Sequence, residues 1–278
     1  MDSRPKSFYA LSAFFILFLL FLYGPTLTIG ILSFQGPKGG LTFPMNGTSM
    51  HWFIDLFKQQ AVGDIWGSFR RSLMLGLLVM VSTVIVSVSA GLAFRKNFKG
   101  SGVLFYMAIT SLVIPSILIS LGVGLIFNQL GFKVHWATSG FGSQLTWTLP
   151  FGLLIIFAVF NRFDKSYEEA ARDQGATPWQ TIRFVILPII APSLIGVALF
   201  GFTLSYDEFA RTLLTAGSYN TLPLEIFGIT TNVTTPVIYA LGTLTTLFSL
   251  LIIAVFLLIV WIMGRRRRKL GSDAGAGV

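Results

Sequence analysis

Between Tyr167 and Pro188, in the stretch "YEEAARDQGATPWQTIRFVILP", an otherwise apolar chain sets Glu168, Glu169 and Asp173 beside Arg172 and Arg183. Carboxylates and guanidinium groups this close can pair along one helix face or with an opposing protein surface. A second acidic group, Asp207-Glu208, directly follows Tyr206. Acidic side chains next to an aromatic ring suit the attraction of a cationic solute, although the same trio also suits an ordinary polar span boundary. Glu225 is a weaker candidate of the same kind. Other chemistries are excluded by residue type. With no cysteine there is no disulfide, thiolate metal site or thiol nucleophile. His51 and His135 stand far apart in polar segments and read as solvated loop residues rather than metal ligands. No Gly-Lys dipeptide occurs, so no phosphate-binding loop of the G-x-x-x-x-G-K-[ST] type is possible.

The charged stretch carries its own start and stop signals. Ser166-x-x-Glu169 has the form of a capping box, with Ser166 at the N-cap and Glu169 reaching back from N3. Glu168 and Arg172 follow at i,i+4 in the favoured order. Gly175 supplies the left-handed residue that ends helices. Thr177-Pro178-Trp179-Gln180 then opens a second helix, with Thr177 as N-cap, Pro178 at N1 and Gln180 at N3. That helix is expected to run to Leu187-Pro188, where the chain is redirected into the next apolar run. The pattern is helix, glycine turn, helix. A helix lying on a bilayer usually has a basic polar face; the first helix here is charge-balanced and alanine-rich, and so better suited to a protein groove.

The elements that must hold these groups are membrane spans. The chain has 278 residues, 54% hydrophobic and only 11% charged, with a mean hydropathy of +0.76. Soluble domains carry about 25% charged residues. Six apolar runs near the length of a membrane helix are predicted, at about Phe8–Leu32, Ser72–Phe94, Val103–Phe127, Leu145–Phe160, Leu187–Tyr206 and Val237–Met263. The first is too long for the apolar region of a signal peptide and is expected to stay as an uncleaved span. Pro115, Gly122 and Gly124 interrupt the third, and Pro188 and Pro192 open the fifth. Alternate loops divide the basic residues 14 to 6. The richer side holds the N-tail, the 95–102 loop, the 161–186 segment and the C-tail, so both termini and the charged stretch are expected in the cytoplasm. The 33–70 loop then lies outside, with a short interfacial helix at Trp52–Gln59. The net charge of +9 includes the run Arg265–Lys269 after the last span, which reads as an orienting cluster for anionic lipid and not as a nucleic-acid site. The fold class is an all-α membrane protein, read as a single transmembrane domain over 1–278.

Glu169-Ala170-Ala171, Gly175, and Val185-x-Leu187-Pro188 at their spacing resemble the EAA motif of bacterial ABC-importer permeases, with Val185 where isoleucine is usual. Placement before the penultimate span fits as well. "FTLSYDEFARTLLTAG", "TLPLEIFGI" and "TPVIYALGT" look like the second permease of spermidine/putrescine-type systems, over roughly the C-terminal half. The resemblance implies a six-helix, type I (MetI-like) importer permease of the bacterial inner membrane. It implies a coupling loop at about 161–188 and a basic tail at 264–278. Within the loop, Glu168, Glu169, Ala170, Ala171, Arg172, Gly175, Leu187 and Pro188 would engage a cytoplasmic ABC ATPase dimer, with Glu169 meeting a basic residue and the alanines allowing close approach. Tyr206, Asp207 and Glu208 become substrate-path candidates. The implied partners are that ATPase, a homologous but non-identical second permease, an extracytoplasmic binding protein and membrane lipid. No cofactor is implied in this chain, ATP and Mg being used by the ATPase. The substrate implied is a polyamine or related amine. Ferric iron, an oxyanion or another small organic solute remain alternatives within the same role. An ion-coupled secondary transporter would need ionisable residues inside its spans, and none of the six runs has one well inside.

Overall fold

A computed structural model describes residues 5–58, 63–96, 98–232 and 235–274, with the side chains of 232 and 266–274 not described. Among the described residues the secondary structure is helical, apart from one isolated bridge between Gln35 and Thr48. The helices are α1 (Lys6–Leu32), α2 (His51–Leu56), α3 (Ile65–Phe94), α4 (Ser101–Thr110), α5 (Ser116–Gln129), α6 (Phe141–Asn161), α7 (Ser166–Asp173), α8 (Pro178–Thr181), α9 (Leu187–Tyr206), α10 (Leu222–Asn232) and α11 (Val237–Ala274). Single π-helical turns at Trp136–Gly140 and Ile182–Ile186 lead into α6 and α9. Among the described residues, five helical stretches are long and apolar enough to cross a membrane: Lys6–Leu32, Ile65–Phe94, Trp136–Asn161, Pro178–Tyr206 and Val237–Arg265.

The third predicted span is not one helix. Pro115 lacks an N–H and biases Ile114 away from helical geometry, and the chain breaks there into α4 and α5, neither of which is long enough to cross alone. The loop expected at 33–70 is also shorter, because α3 begins at Ile65 and carries Arg70 and Arg71 inside its first turns. A helix can continue past the end of its apolar face where its charges find partners. Arg71 does so, with Nε donating to the Asn220 carbonyl at 2.7 Å. The interfacial helix expected at Trp52–Gln59 is α2, and Gln59 lies outside the described residues. At the far end, α11 runs on through the basic run, where the side chains of 266–269 are not described.

The chain divides into two compact units, 1–64 with 226–250 and 65–225 with 251–278. In the first, the turn after α1 is organised by buried Gln35, whose Oε1 accepts from the Asn46 N–H at 2.8 Å and whose Nε2 donates to the Gly40 carbonyl at 3.2 Å. Tyr239 OH donates to the Leu41 carbonyl at 2.6 Å.

In the second unit, α3, α6 and α9 pack on one another. Val88, Ile156, Phe160, Ile186, Ile190 and Val197 form its apolar core. One layer of that packing is polar, with Thr83 and Thr148 hydroxyls 2.8 Å apart and both buried. The segment 207–221, which follows α9, and the first residue of α10 are fastened by serines from four elements. Ser139 Oγ donates to the Thr215 carbonyl (2.8 Å) and Ser143 Oγ to the Arg211 carbonyl (3.0 Å). Ser72 Oγ accepts from the Leu222 N–H (2.8 Å) and Ser120 Oγ from the Leu214 N–H (3.0 Å). All four are buried, so backbone groups that regular structure leaves open here are satisfied by side chains.

Candidate coupling hairpin and solute site

Between α6 and α9 the chain forms the expected hairpin. Gly175 sits at φ +80°, a conformation that costs an L side chain strain and glycine none. Thr177 and Gln180 make a full capping box on α8. Gln180 Oε1 accepts from the Thr177 N–H at 2.8 Å, and Thr177 Oγ1 accepts from the Gln180 N–H at 3.3 Å. The box expected at Ser166 does not form. Asp164 Oδ1 instead accepts from the Ser166 N–H at 2.9 Å, and that hydrogen bond holds the Asp164 carboxyl below its ordinary pKa. A carboxylate two residues upstream is the stronger acceptor, and Glu169 is left out of capping. Nor does Leu187-Pro188 redirect the chain. The helix continues from Pro178 to Tyr206 through the π turn at Ile182–Ile186, a local widening that absorbs an interruption of the i→i−4 ladder.

Glu168 and Glu169, neighbours in sequence, face different surroundings. Glu168 pairs with Arg95 from the end of α3, the two side chains being 13% and 19% exposed. Arg172, the expected i,i+4 partner, stands at 3.9 Å from the other carboxylate oxygen and is largely exposed. The Arg95 guanidinium lies over Phe160 and Phe163, at 4.9 and 5.3 Å from their centroids. One arginine thus joins α3, the end of α6 and α7. Glu169 and Ala170 are exposed, Ala171 and Leu187 are half-buried and Pro188 is exposed. Glu168, Glu169, Arg172, Arg95, Lys96 and Lys165 line a groove of about 640 Å³. Arg95 was invisible in the sequence except as one more loop charge. Trp179 and Phe184, 64% and 66% exposed, were also passed over; large aromatic residues within a charged hairpin were the available signal.

The buried pair makes a direct test. Glu168→Arg is expected to lower transport about tenfold or more, since breaking a largely buried pair costs about 3–5 kcal/mol. The swap Arg95→Glu with Glu168→Arg should recover most of it. Singles that transport normally, or a swap no better than the singles, would remove the pair from the working mechanism.

At the other end of α9, about 30 Å away for its 20 residues, lie the solute-path candidates. Tyr206 is buried, stacked on Phe202 at 5.7 Å and edge-on to Phe69 at 6.5 Å. Asp207 is exposed, while Glu208 is half-buried and its Oε1 accepts from the Arg211 N–H at 3.1 Å. Glu225 Oε2 accepts from Asn220 Nδ2 at 2.8 Å. His51 meets Asp55 at 3.0 Å, and His135 Nδ1 accepts from the Ala137 N–H at 3.2 Å. The two histidines are not brought together.

Helices apolar and long enough to cross a membrane, a three-helix core and a hairpin projecting a carboxylate and aromatics from it define an α-helical membrane protein. The family described as "Binding-protein-dependent transport system inner membrane component" matches residues 83–269, and the chain belongs to it. It is 28% identical over 257 residues to a spermidine/putrescine transport system permease protein, PotC, of Haemophilus influenzae, covering 91% of this chain and 96% of the relative. It is 30% identical over 232 residues to a putrescine transport system permease protein, PotI, of Escherichia coli (strain K12), covering 81% of each. Among solved structures, a bacterial ABC transporter that imports the acidic polysaccharide alginate shares the fold. The TM-score is 0.66 at 16% identity, over 97% of this chain and 99% of that one. The methionine transporter MetNI in an inward-facing conformation also shares it, at a TM-score of 0.57 and 18% identity, over 78% and 99%.

Proposed function

We propose that this chain is the translocating subunit of an ATP-driven importer and carries a polyamine or related small organic amine delivered by an extracytoplasmic binding protein. The observation that carries the reading is the hairpin, in which Glu168 is turned inward to Arg95 while Glu169, Trp179 and Phe184 face out. That is the arrangement of a lever, with one side fixed to the spans and the other offered to a partner. Family membership and the names of the relatives support the transport role and the amine. In this reading the partner is a cytoplasmic ATPase dimer using ATP and Mg. A homologous, non-identical second permease completes the pathway, and lipid surrounds the apolar helices. The chain crosses the membrane six times as one permease domain, with both termini in the cytoplasm. The broken pair α4 and α5, about 15 and 21 Å long, together makes one crossing of a hydrocarbon layer about 30 Å thick. The basic-residue distribution supports the orientation. Asp207 and Glu208 then stand at the outer end of α9, where the amine arrives.

Vesicles holding the complete transporter test this. With the proton gradient collapsed, uptake should persist on ATP and stop when ATP is withdrawn. Uptake that instead follows the gradient would assign the chain to ion-coupled transport.

A further inference from the structure

The groove beside the hairpin holds more positive charge than its own carboxylates neutralise. Arg95, Lys96, Lys165 and Arg172 line it, against Glu168 and Glu169. Arg95 is committed to Glu168, and Arg172 approaches the same carboxylate at 3.9 Å. Lys96 and Lys165 are exposed, and neither forms an ion pair with another described residue. The rest of the lining is largely apolar. Leu92 and Ala93 come from the last turn of α3, and Ile182 and Ile186 from the π turn that leads into α9.

A second observation is the depth of the groove. The apolar stretch of α3 ends at Phe94, and the stretch that carries α8 and α9 opens at Pro178. The apolar lining therefore comes from the last turn of one span and the first turns of another. Lys96 and Lys165 stand outside those span ends, at the level of lipid headgroups. The volume of about 640 Å³ falls within the range of about 300–1,000 Å³ of sites that enclose small molecules. An apolar cleft with two unpaired ammonium groups on its rim suits a molecule with a hydrocarbon chain and an anionic head. A zwitterionic lipid would bring its own cation to a rim already in positive excess.

We infer that this groove binds one anionic phospholipid, with its phosphate taken by Lys96 and Lys165 and its chain laid against Leu92, Ile182 and Ile186. The phosphate lowers a positive excess that Glu168 and Glu169 only half offset. Lys96 follows α3, and Lys165 immediately precedes α7. A phosphate held by both ties the hairpin to the end of α3 a second time, beside the Arg95–Glu168 pair. The lipid thereby stiffens the lever. This rests on the proposed function for the hairpin's role and for placing the lipid in the inner leaflet.

Native mass spectrometry of the purified full-length chain tests it. The chain is titrated in detergent, at fixed ionic strength, with phosphatidylglycerol or phosphatidylcholine of the same acyl chains. The wild type should bind phosphatidylglycerol in preference. Lys96→Gln with Lys165→Gln should weaken its tightest phosphatidylglycerol site about 25-fold, or about fivefold for each lysine. Lys96→Arg with Lys165→Arg should keep that site. Lys38→Gln with Lys133→Gln removes equal charge outside the groove and should leave it unchanged, which separates the site from general attraction to basic residues. Excess glycerol 1-phosphate, a phosphate head without chains, should not displace the lipid. Equal binding of the two lipids, no weakening in the groove variant, equal weakening in both glutamine pairs, or displacement by glycerol 1-phosphate would overturn the site. ATP-dependent uptake tests the importer reading separately, because lipid binding by the isolated chain needs no ATPase.

Discussion

Replacing Glu169 by lysine is expected to abolish solute uptake while leaving the amount of chain inserted in the membrane unchanged. Glu169 is exposed on α7, takes no part in capping, and forms no ion pair with another described residue. Its removal therefore leaves no buried partner stranded and should not unfold the hairpin. Its surroundings are strongly positive, with Arg95, Lys96, Lys165 and Arg172 lining the same groove. A lysine there would add like charge and, in the proposed docking, face the ATPase with the wrong sign. Disrupting a desolvated charge pair at an interface costs about 2–5 kcal/mol, which weakens association about 30-fold at the lower limit. Glu169→Gln, which keeps the shape, should be milder. Uptake at the wild-type rate by Glu169→Lys, or loss of the chain from the membrane, would each contradict the docking role.

The division of labour between Glu168 and Glu169 shows where sequence reasoning reaches and where it stops. The hairpin was legible because its determinants are local. Gly175 makes the turn and Thr177, Pro178 and Gln180 start the next helix, all within a few residues and with stereochemistry that tertiary contacts seldom override. The long spans were legible for a similar reason, since apolar length is a property of a continuous stretch, and Tyr206 ends α9 as expected. Arg95 was not legible, because its partner Glu168 is 73 residues away and nothing near Arg95 in the chain records that distance. The cap at Ser166 failed through competition between acceptors: Asp164 and Glu169 are both near enough to reach backbone donors, and only the folded loop decides between them. Pro188 shows a third kind of miss. Proline is a reliable disturbance of a helix, but whether the chain bends away or widens into one π turn depends on the core that Ile186 and Ile190 enter. Arg211, wholly buried, counted only as a charge on one side of the membrane, since burial of a loop residue leaves no periodic trace.

Gly152→Val is expected to prevent folding of the three-helix core, and Gly152→Ala to weaken it measurably. A Cβ at Gly152 would stand 2.2 Å from Ser87 Oγ, 2.9 Å from Thr83 Cγ2 and 3.2 Å from Ser87 Cβ. Rotating the Ser87 hydroxyl relieves only the first of these, so α3 and α6 must separate. Separation acts on the adjoining Thr83–Thr148 hydrogen bond and on the layer of Val88 and Ile156. Overpacking of this kind costs about 1–3 kcal/mol for a small group and more for a branched one. A second substitution distinguishes crowding from a general intolerance of α6 to change. Ser87 Oγ has no hydrogen-bond partner, so Ser87→Gly gives up no bond while removing the nearest obstruction, and it should restore most of the thermal stability lost in Gly152→Ala. An unfolding midpoint for Gly152→Ala equal to the wild type, or a double variant no more stable than Gly152→Ala, would show that the close approach is not what holds these helices. The consequence extends to transport. Arg95 ties the hairpin to the ends of α3 and α6, and a displaced α7 can move both together only if α3 and α6 form one rigid body. The Gly152–Ser87 contact is what lets their backbones approach closely enough for that, in a membrane where packing and hydrogen bonds, not water, hold helices together. Gly152→Ala should therefore reduce uptake by a larger factor than it reduces the amount of folded chain, and Ser87→Gly should recover both.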